Sequence, residues 1–291
     1  MQNTWNGIMN EMGNYPNAFD VVRKKYIKKL SDLTGRNTIV YYSGWLQHPD
    51  GDSSIDDSDM EGFMNAVNEL DCTKGLDLVL HTPGGSPTAA EAIVNYLKDK
   101  FQKDIRVIVP QLSMSAGTMI ACSAKEIVMG RQSSLGPIDP QFNGIPAYNI
   151  ISEFNDAKKD LAEDPTTANY WAIILQQYPA AFLKTCYDAI SLSSTLAEEW
   201  LKDNMLKNNQ SAVNGIVEFL NSRDTNHDHG RHFNYKKCCD IGLNISLLEA
   251  DQEFQDAVLA LHHSLMITFQ GTNAVKIIEN QNGNAYIIGL K

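Results

Sequence analysis

Apolar residues recur every three to four positions in residues 19–34, a period that predicts an amphipathic helix closed by Gly35. The period then changes. NTIVYYSGW (37–45) is a β-branched and aromatic run that reads as a strand, and IDDSDMEGFMNAVNEL (55–70) reads as a helix with acids in its first turn. A short apolar strand (76–82) ends at Pro83-Gly84-Gly85, and helix, strand, helix and strand follow over 87–101, 104–111, 115–124 and 126–130. Near-continuous apolar strands separated by helices predict an α/β fold with a mainly parallel sheet buried on both faces. From 147 to 222 the pattern is mostly helical with breaks at Pro165 and Pro179, and 223–235 is a polar, His-rich loop. A helix at 251–268 and a closing strand at 285–289 complete the reading, and the chain shows no internal repeat or low-complexity segment.

Composition narrows the function. The chain has 291 residues, 43% hydrophobic and 20% charged, with 24 Lys and Arg against 35 Asp and Glu, a formal net charge of −11. Such a surface repels phosphate backbones, and no basic block offsets it, so nucleic acid is not an expected partner. No apolar run approaches the ~18 residues of a membrane span. The N-terminus lacks a basic stretch followed by an apolar one, so no secretory signal is read there. Five cysteines without paired spacing read as reduced thiols, and a cytoplasmic location is expected.

Two strand ends carry the candidate chemistry. HTPGG (81–85) closes one strand, and successive glycines let backbone approach a ligand and free amide N–H groups for it. Taken alone it reads as a tight strand-to-helix turn. SMSAGT (113–118) lies at the next strand-to-helix junction, where Ser115 alone reads as a helix N-cap. Together, about 30 residues and one βα unit apart, they fall on adjacent parallel strands at one sheet edge. Gly85 N–H and Ala116 N–H would then flank the Ser115 hydroxyl, as acyl transfer requires of a nucleophile and its oxyanion donors.

HTPGGSPTAAEAI, VIVPQLSMSAGTMIA and EIVMGRQSSLGPIDPQ resemble the Clp-fold serine peptidases, and most of all the serine dehydrogenase proteinase family, relatives of signal peptide peptidase A. LHHSLMITFQGTNAVKIIENQNGNAYI resembles that family's C-terminal segment. The resemblance spans about 20–291 and is densest over 76–142. It implies a Clp/crotonase-like spiral of ββα units, organised as an N-terminal helical segment (1–35), a peptidase domain (36–245) with a helical elaboration at about 147–222, and a C-terminal helix and tail (246–291). It implies a serine endopeptidase with Ser115 as nucleophile, Gly85 and Ala116 as oxyanion donors, Gly84 and Gly117 supporting substrate, and neither cofactor nor metal. A protein or peptide substrate is expected, with a homo-oligomer and an unfoldase or other subunit as candidate partners. Residues 168–190, rich in apolar side chains, are the expected subunit interface.

The general base is where this chain departs from the pattern. The Clp protease proper has a histidine in the loop that here reads LGPIDPQ, and no histidine lies between His81 and His227. Relatives of signal peptide peptidase A use a lysine from a later segment, for which Lys158 and Lys159 are the candidates. Consecutive helical residues point about 100° apart, so at most one can face the site. Lys158, four residues from Phe154 and seven from Ile151, is preferred on the apolar stripe, with Lys159 as the alternate. Asp139 is expected to orient base or substrate, or to cap a helix. Among His227, Asp228, His229 and His232, His229 is expected to line or support the cleft, a metal site being the less favoured reading. Asp50, Asp52, Ser54, Asp56 and Glu61 imitate a calcium loop, but Ile55 stands where the turn needs glycine, so a solvated acidic loop is expected. Two rivals remain open: an acyl-CoA enzyme of the crotonase type, and an inactive scaffold of the same fold.

Overall fold

Two helices, α1 (Trp5–Met12) and α2 (Ala18–Thr34), lead into β1 (Asn37–Ser43), which is buried at every residue. The computed structural model describes residues 3–207, 209–222 and 228–290. Gly35 ends α2 at φ +67°, a left-handed geometry that glycine adopts without steric cost. The chain continues through α3 (Asp59–Val67), β2 (Leu76–His81), α4 (Pro87–Phe101), β3 (Ile105–Val109), β4 (Leu112–Ser113), α5 (Ala116–Cys122), β5 (Glu126–Met129) and β6 (Ser134–Leu135). A short hairpin, β7 (Gln141–Phe142) and β8 (Ile145–Pro146), introduces the helical stretch α6 (Ala147–Glu163), α7 (Ala168–Leu175), α8 (Phe182–Asp203) and α9 (Gln210–Asn221). Last come β9 (Phe233–Asn234), α10 (Tyr235–Asp240), β10 (Ile245–Leu247), α11 (Gln252–Gly271), β11 (Ala274–Asn280) and β12 (Ala285–Gly289).

The expected α/β architecture is observed. Seven strands form the central sheet in the order β10-β5-β3-β2-β1-β11-β12. The first five run parallel, and β11 and β12 close the edge antiparallel. Side chains alternate between two cores, as strand geometry dictates. Tyr41, Leu78, Val107 and Ile127 pack against α4, α5, α8 and α9, while Tyr42, Val79, Ile108 and Val128 pack against α1, α2 and α11. Full burial of one such aliphatic side chain is worth roughly 1.5–3 kcal/mol, so this sandwich is a rigid base for whatever its strand ends carry. A third, smaller core joins Ala147, Ile150 and Ile151 of α6 to Cys186 of α8. Among the described residues, no helix is long and apolar enough to cross a membrane.

Three elements differ from expectation. The helix over 55–70 shrinks to α3, because Ile55 forms a β-bridge with Gly85 instead. The strand over 104–111 splits into β3 and β4 at Pro110, which has no N–H to continue the ladder. The third is β11, read from sequence as part of an undivided tail. Lys276 and Glu279 interrupt its apolar run, yet all seven residues are buried.

Candidate active site

The carboxyl ends of β2 and β3 lie side by side, and their continuations stay paired. Thr82 N–H donates to Leu112 O at 3.1 Å, and Met114 N–H to Thr82 O at 3.0 Å. This carries the Pro-Gly-Gly turn and the start of α5 into contact. A methyl group on Gly84 (φ +99°) would meet Met114 O and Ser115 Cβ at 2.7 Å and Ala116 N at 3.1 Å. One on Gly117 would meet Thr82 Cγ2 at 2.4 Å, so both glycines are there for close approach.

Ser115 sits at the turn into α5 with φ +51° and ψ −119°, a conformation that L-residues rarely adopt. Such strain persists only where the surroundings impose it, and it aims the side chain away from the helix. The Ser115 hydroxyl makes no capping bond to α5, so the N-cap reading of this serine does not hold. Gly117 N–H is taken by Met114 O and Gly84 N–H by Thr82 Oγ1, whereas among the described residues no hydrogen bond takes Gly85 N–H or Ala116 N–H. Ser115, Gly84, Gly85 and Ala116 share a cleft of about 370 Å³ with Met119, Ile138, Phe142, Ser193 and His229.

His229 reaches this cleft through the small sheet. β9 pairs antiparallel with β6, Leu135 opposite Phe233, which brings the loop before β9 alongside the loop after β6. The β6 loop is itself fixed at both ends: Gly136 N–H donates to Thr118 Oγ1 at 2.9 Å and Ile138 N–H to Leu220 O at 3.0 Å. Just past the second anchor, buried Asp139 places Oδ1 2.9 Å from His229 Nδ1. Asp139 caps none of the described helices. Burial and the Asp139 carboxylate push the Tyr148 hydroxyl above its usual range.

The two lysines lie elsewhere. Ala147, Ile150, Ile151 and Ala157 are the buried positions of α6, so the apolar stripe runs through Ala157, and Lys158, one residue on, turns into solvent. Lys158 and Lys159 are both exposed and neither lines the cleft. The expectation of a desolvated Lys158 beside Ile151 and Phe154 is therefore corrected. His227 lies outside the described residues, and His232 does not line the cleft. Among the described residues no group of three or more His, Cys, Asp or Glu could hold a metal ion. The acidic loop is not merely solvated either. Asp56 and Asp59 bind a buried lysine, Lys276, at 2.8 Å each. That lysine escaped the sequence reading because it comes from β11; the β-branched run around it was the available signal.

A model of the family described as ClpP-like SDH-type serine proteinase matches residues 53–246. Two uncharacterized proteins of Methanocaldococcus jannaschii are similar to this chain: one is 40% identical over 108 residues, 37% of each chain, and the other 38% identical over 96 residues, 33% of this chain and 32% of its own length. The match thus spans about a third of each curated relative. A solved structure of a membrane-bound stomatin-specific protease, a serine-to-alanine mutant, is 19% identical and covers 70% of this chain and 79% of its own, with a TM-score of 0.41.

Proposed function

Since the chain belongs to the ClpP-like SDH-type serine proteinase family, we propose that it hydrolyses peptide bonds through an acyl-enzyme on Ser115, with His229 as general base and Asp139 as its orienting partner. One observation carries the reading: a strained, uncapped serine shares a single cleft with a histidine whose other face is held by a buried carboxylate.

A carboxylate only accepts hydrogen bonds, so Nδ1 of His229 carries the proton toward Asp139 and Nε2 keeps its lone pair. Nε2 removes the Ser115 proton as Oγ attacks the substrate carbonyl. The carbonyl oxygen takes up negative charge and rests on Gly85 N–H and Ala116 N–H, neither of which is taken by a hydrogen bond among the described residues. Collapse of the intermediate expels the amine, which receives the proton from Nε2. Water, deprotonated by the same nitrogen, then attacks the ester and frees Ser115. General base catalysis of this kind is worth roughly 10²–10⁴ in rate, and one oxyanion donor roughly 10²–10³. The cycle calls on neither metal nor cofactor.

The substrate in this reading is a protein or peptide, whose backbone the glycines of both motifs admit. Self-association through α7 and α8 belongs to the same proposal, supported by Tyr170, Ile173 and Tyr187, which are 62%, 63% and 50% exposed. Ser115→Ala tests the assignment: casein hydrolysis should vanish while the circular dichroism spectrum is unchanged. Undiminished hydrolysis by that variant contradicts the mechanism.

A further inference from the structure

We propose that Lys276 is a positioning residue for the oxyanion site, acting through the main chain of residues 54–56; the proposal rests on the roles given to Ser115 and Gly85 above. Lys276 lies on β11, opposite Ser43 of β1, beyond the residues that the family model matches. Its side chain is 1% exposed, and its ammonium donates to Ser54 O at 2.7 Å and to Asp56 Oδ2 and Asp59 Oδ1 at 2.8 Å. Three donors therefore meet three acceptors. Asp59 is held in turn by the hydroxyl of Tyr41 and by Asp56 N–H.

The held segment forms one wall of the cleft, and Ser54 lines it directly. Ile55 N–H donates to Gly84 O at 2.8 Å, and Ser86 N–H donates to Ile55 O at 2.8 Å. These two bonds bracket Gly85 without using its own N–H, as a parallel bridge does. A methyl group on Gly85 would sit 2.3 Å from Ile55 N, so the two backbones are in direct contact. The connection runs from the ammonium to Ser54 O, from there to the Ile55 backbone, and from that backbone to the orientation of Gly85 N–H. Stability alone does not account for the arrangement, because replacing a buried ion pair by apolar residues is often neutral or favourable. Binding a main-chain carbonyl beside the cleft is what the ammonium adds. It is not the base that the sequence sought in a lysine, since its ammonium is engaged by Ser54, Asp56 and Asp59 and it does not line the cleft.

A misaimed oxyanion donor weakens the transition state more than the ground state, so kcat falls while KM holds. Two variants test this on a peptide ester, with Ser115→Ala as control. The double variant Lys276→Met with Asp59→Asn removes both buried charges together; its kcat should fall by about tenfold or more with KM within about twofold. Asp56→Asn removes one of the negative charges that face Lys276, at a half-exposed side chain; its kcat should fall by about threefold or more, with KM again held. Should the double variant fail to fold, Asp56→Asn decides alone. An unchanged kcat in either folded variant, with Ser115→Ala inactive, overturns the role of Lys276 and leaves the nucleophile standing. Hydrolysis that survives Ser115→Ala overturns the underlying reading and this proposal with it.

Discussion

Asp139 Oδ1 and His229 Nδ1 lie 2.9 Å apart although 90 residues separate them in the chain. The antiparallel pairing of β6 with β9 delivers them to the same place, and His229 lines the cleft that holds Ser115.

Asp139→Asn is therefore expected to cripple catalysis while leaving the fold in place. The amide has the shape of the carboxylate but offers N–H groups, which favour the wrong imidazole tautomer. Steady-state kinetics should show kcat lower by about 10³–10⁴ with little change in KM, the size of effect such a change has in a Ser-His-Asp triad. Activity within about tenfold of the parent protein argues against His229 as the base.

Lys158→Ala and Lys159→Ala should each keep kcat/KM within about twofold of the parent, because both side chains are exposed and outside the cleft lining. A large loss in either, measured on the same peptide ester, returns a lysine to the mechanism.

Most of the sheet and one half of the site were legible in the sequence. The Pro-Gly-Gly and Ser-Ala-Gly turns follow their strands at one βα interval, and local composition alone brings Gly85, Ser115 and Ala116 together. The other half was not, since it depends on pairing between distant strands of two residues each. Asp139 and His229 are both candidates by residue type, but nothing local says that β6 and β9 are partners. Helical phase misled in α6: a stripe through Ile151 and Phe154 can continue through Ala157 or Lys158, and Ala157 is the one that is buried. In β11 the buried charges of Lys276 and Glu279 disguised a central strand, because their ionic partners lie on other elements.

Acid should destabilise the protein through His81. Its ring is fully buried between Tyr42, Trp45 and His262, and burial pushes its pKa down to about 3. Unfolded histidine titrates near ~6.5, so the unfolded chain binds the proton first. The His81 contribution is complete above about pH 6.5, is lost as pH falls through the window down to about 3, and levels off below it. Burial moves His262 in the same direction. Urea titrations between pH 7 and 4 should show His81→Asn losing stability less steeply than the parent, by up to about 1.4 kcal/mol per pH unit. Equal slopes in the two proteins contradict a neutral, buried His81.

Self-association through α7 and α8 should appear in light scattering at micromolar concentration as a mass above the 32.4 kDa of one chain. Ile173→Asp combined with Tyr187→Asp should lower it toward one chain. A single-chain mass for the parent protein contradicts the proposal.

The central claim is that Ser115 is a nucleophile activated by His229. It is tested most directly by the rate and position of labelling with a fluorophosphonate, read by mass spectrometry of the digested protein. The account predicts one adduct, on Ser115, absent in Ser115→Ala, slowed by about 100-fold or more in His229→Ala, and formed at the parental rate in Lys158→Ala. Contradiction would come from an adduct on another residue, from no adduct on the folded protein, or from labelling that survives His229→Ala and is lost in Lys158→Ala.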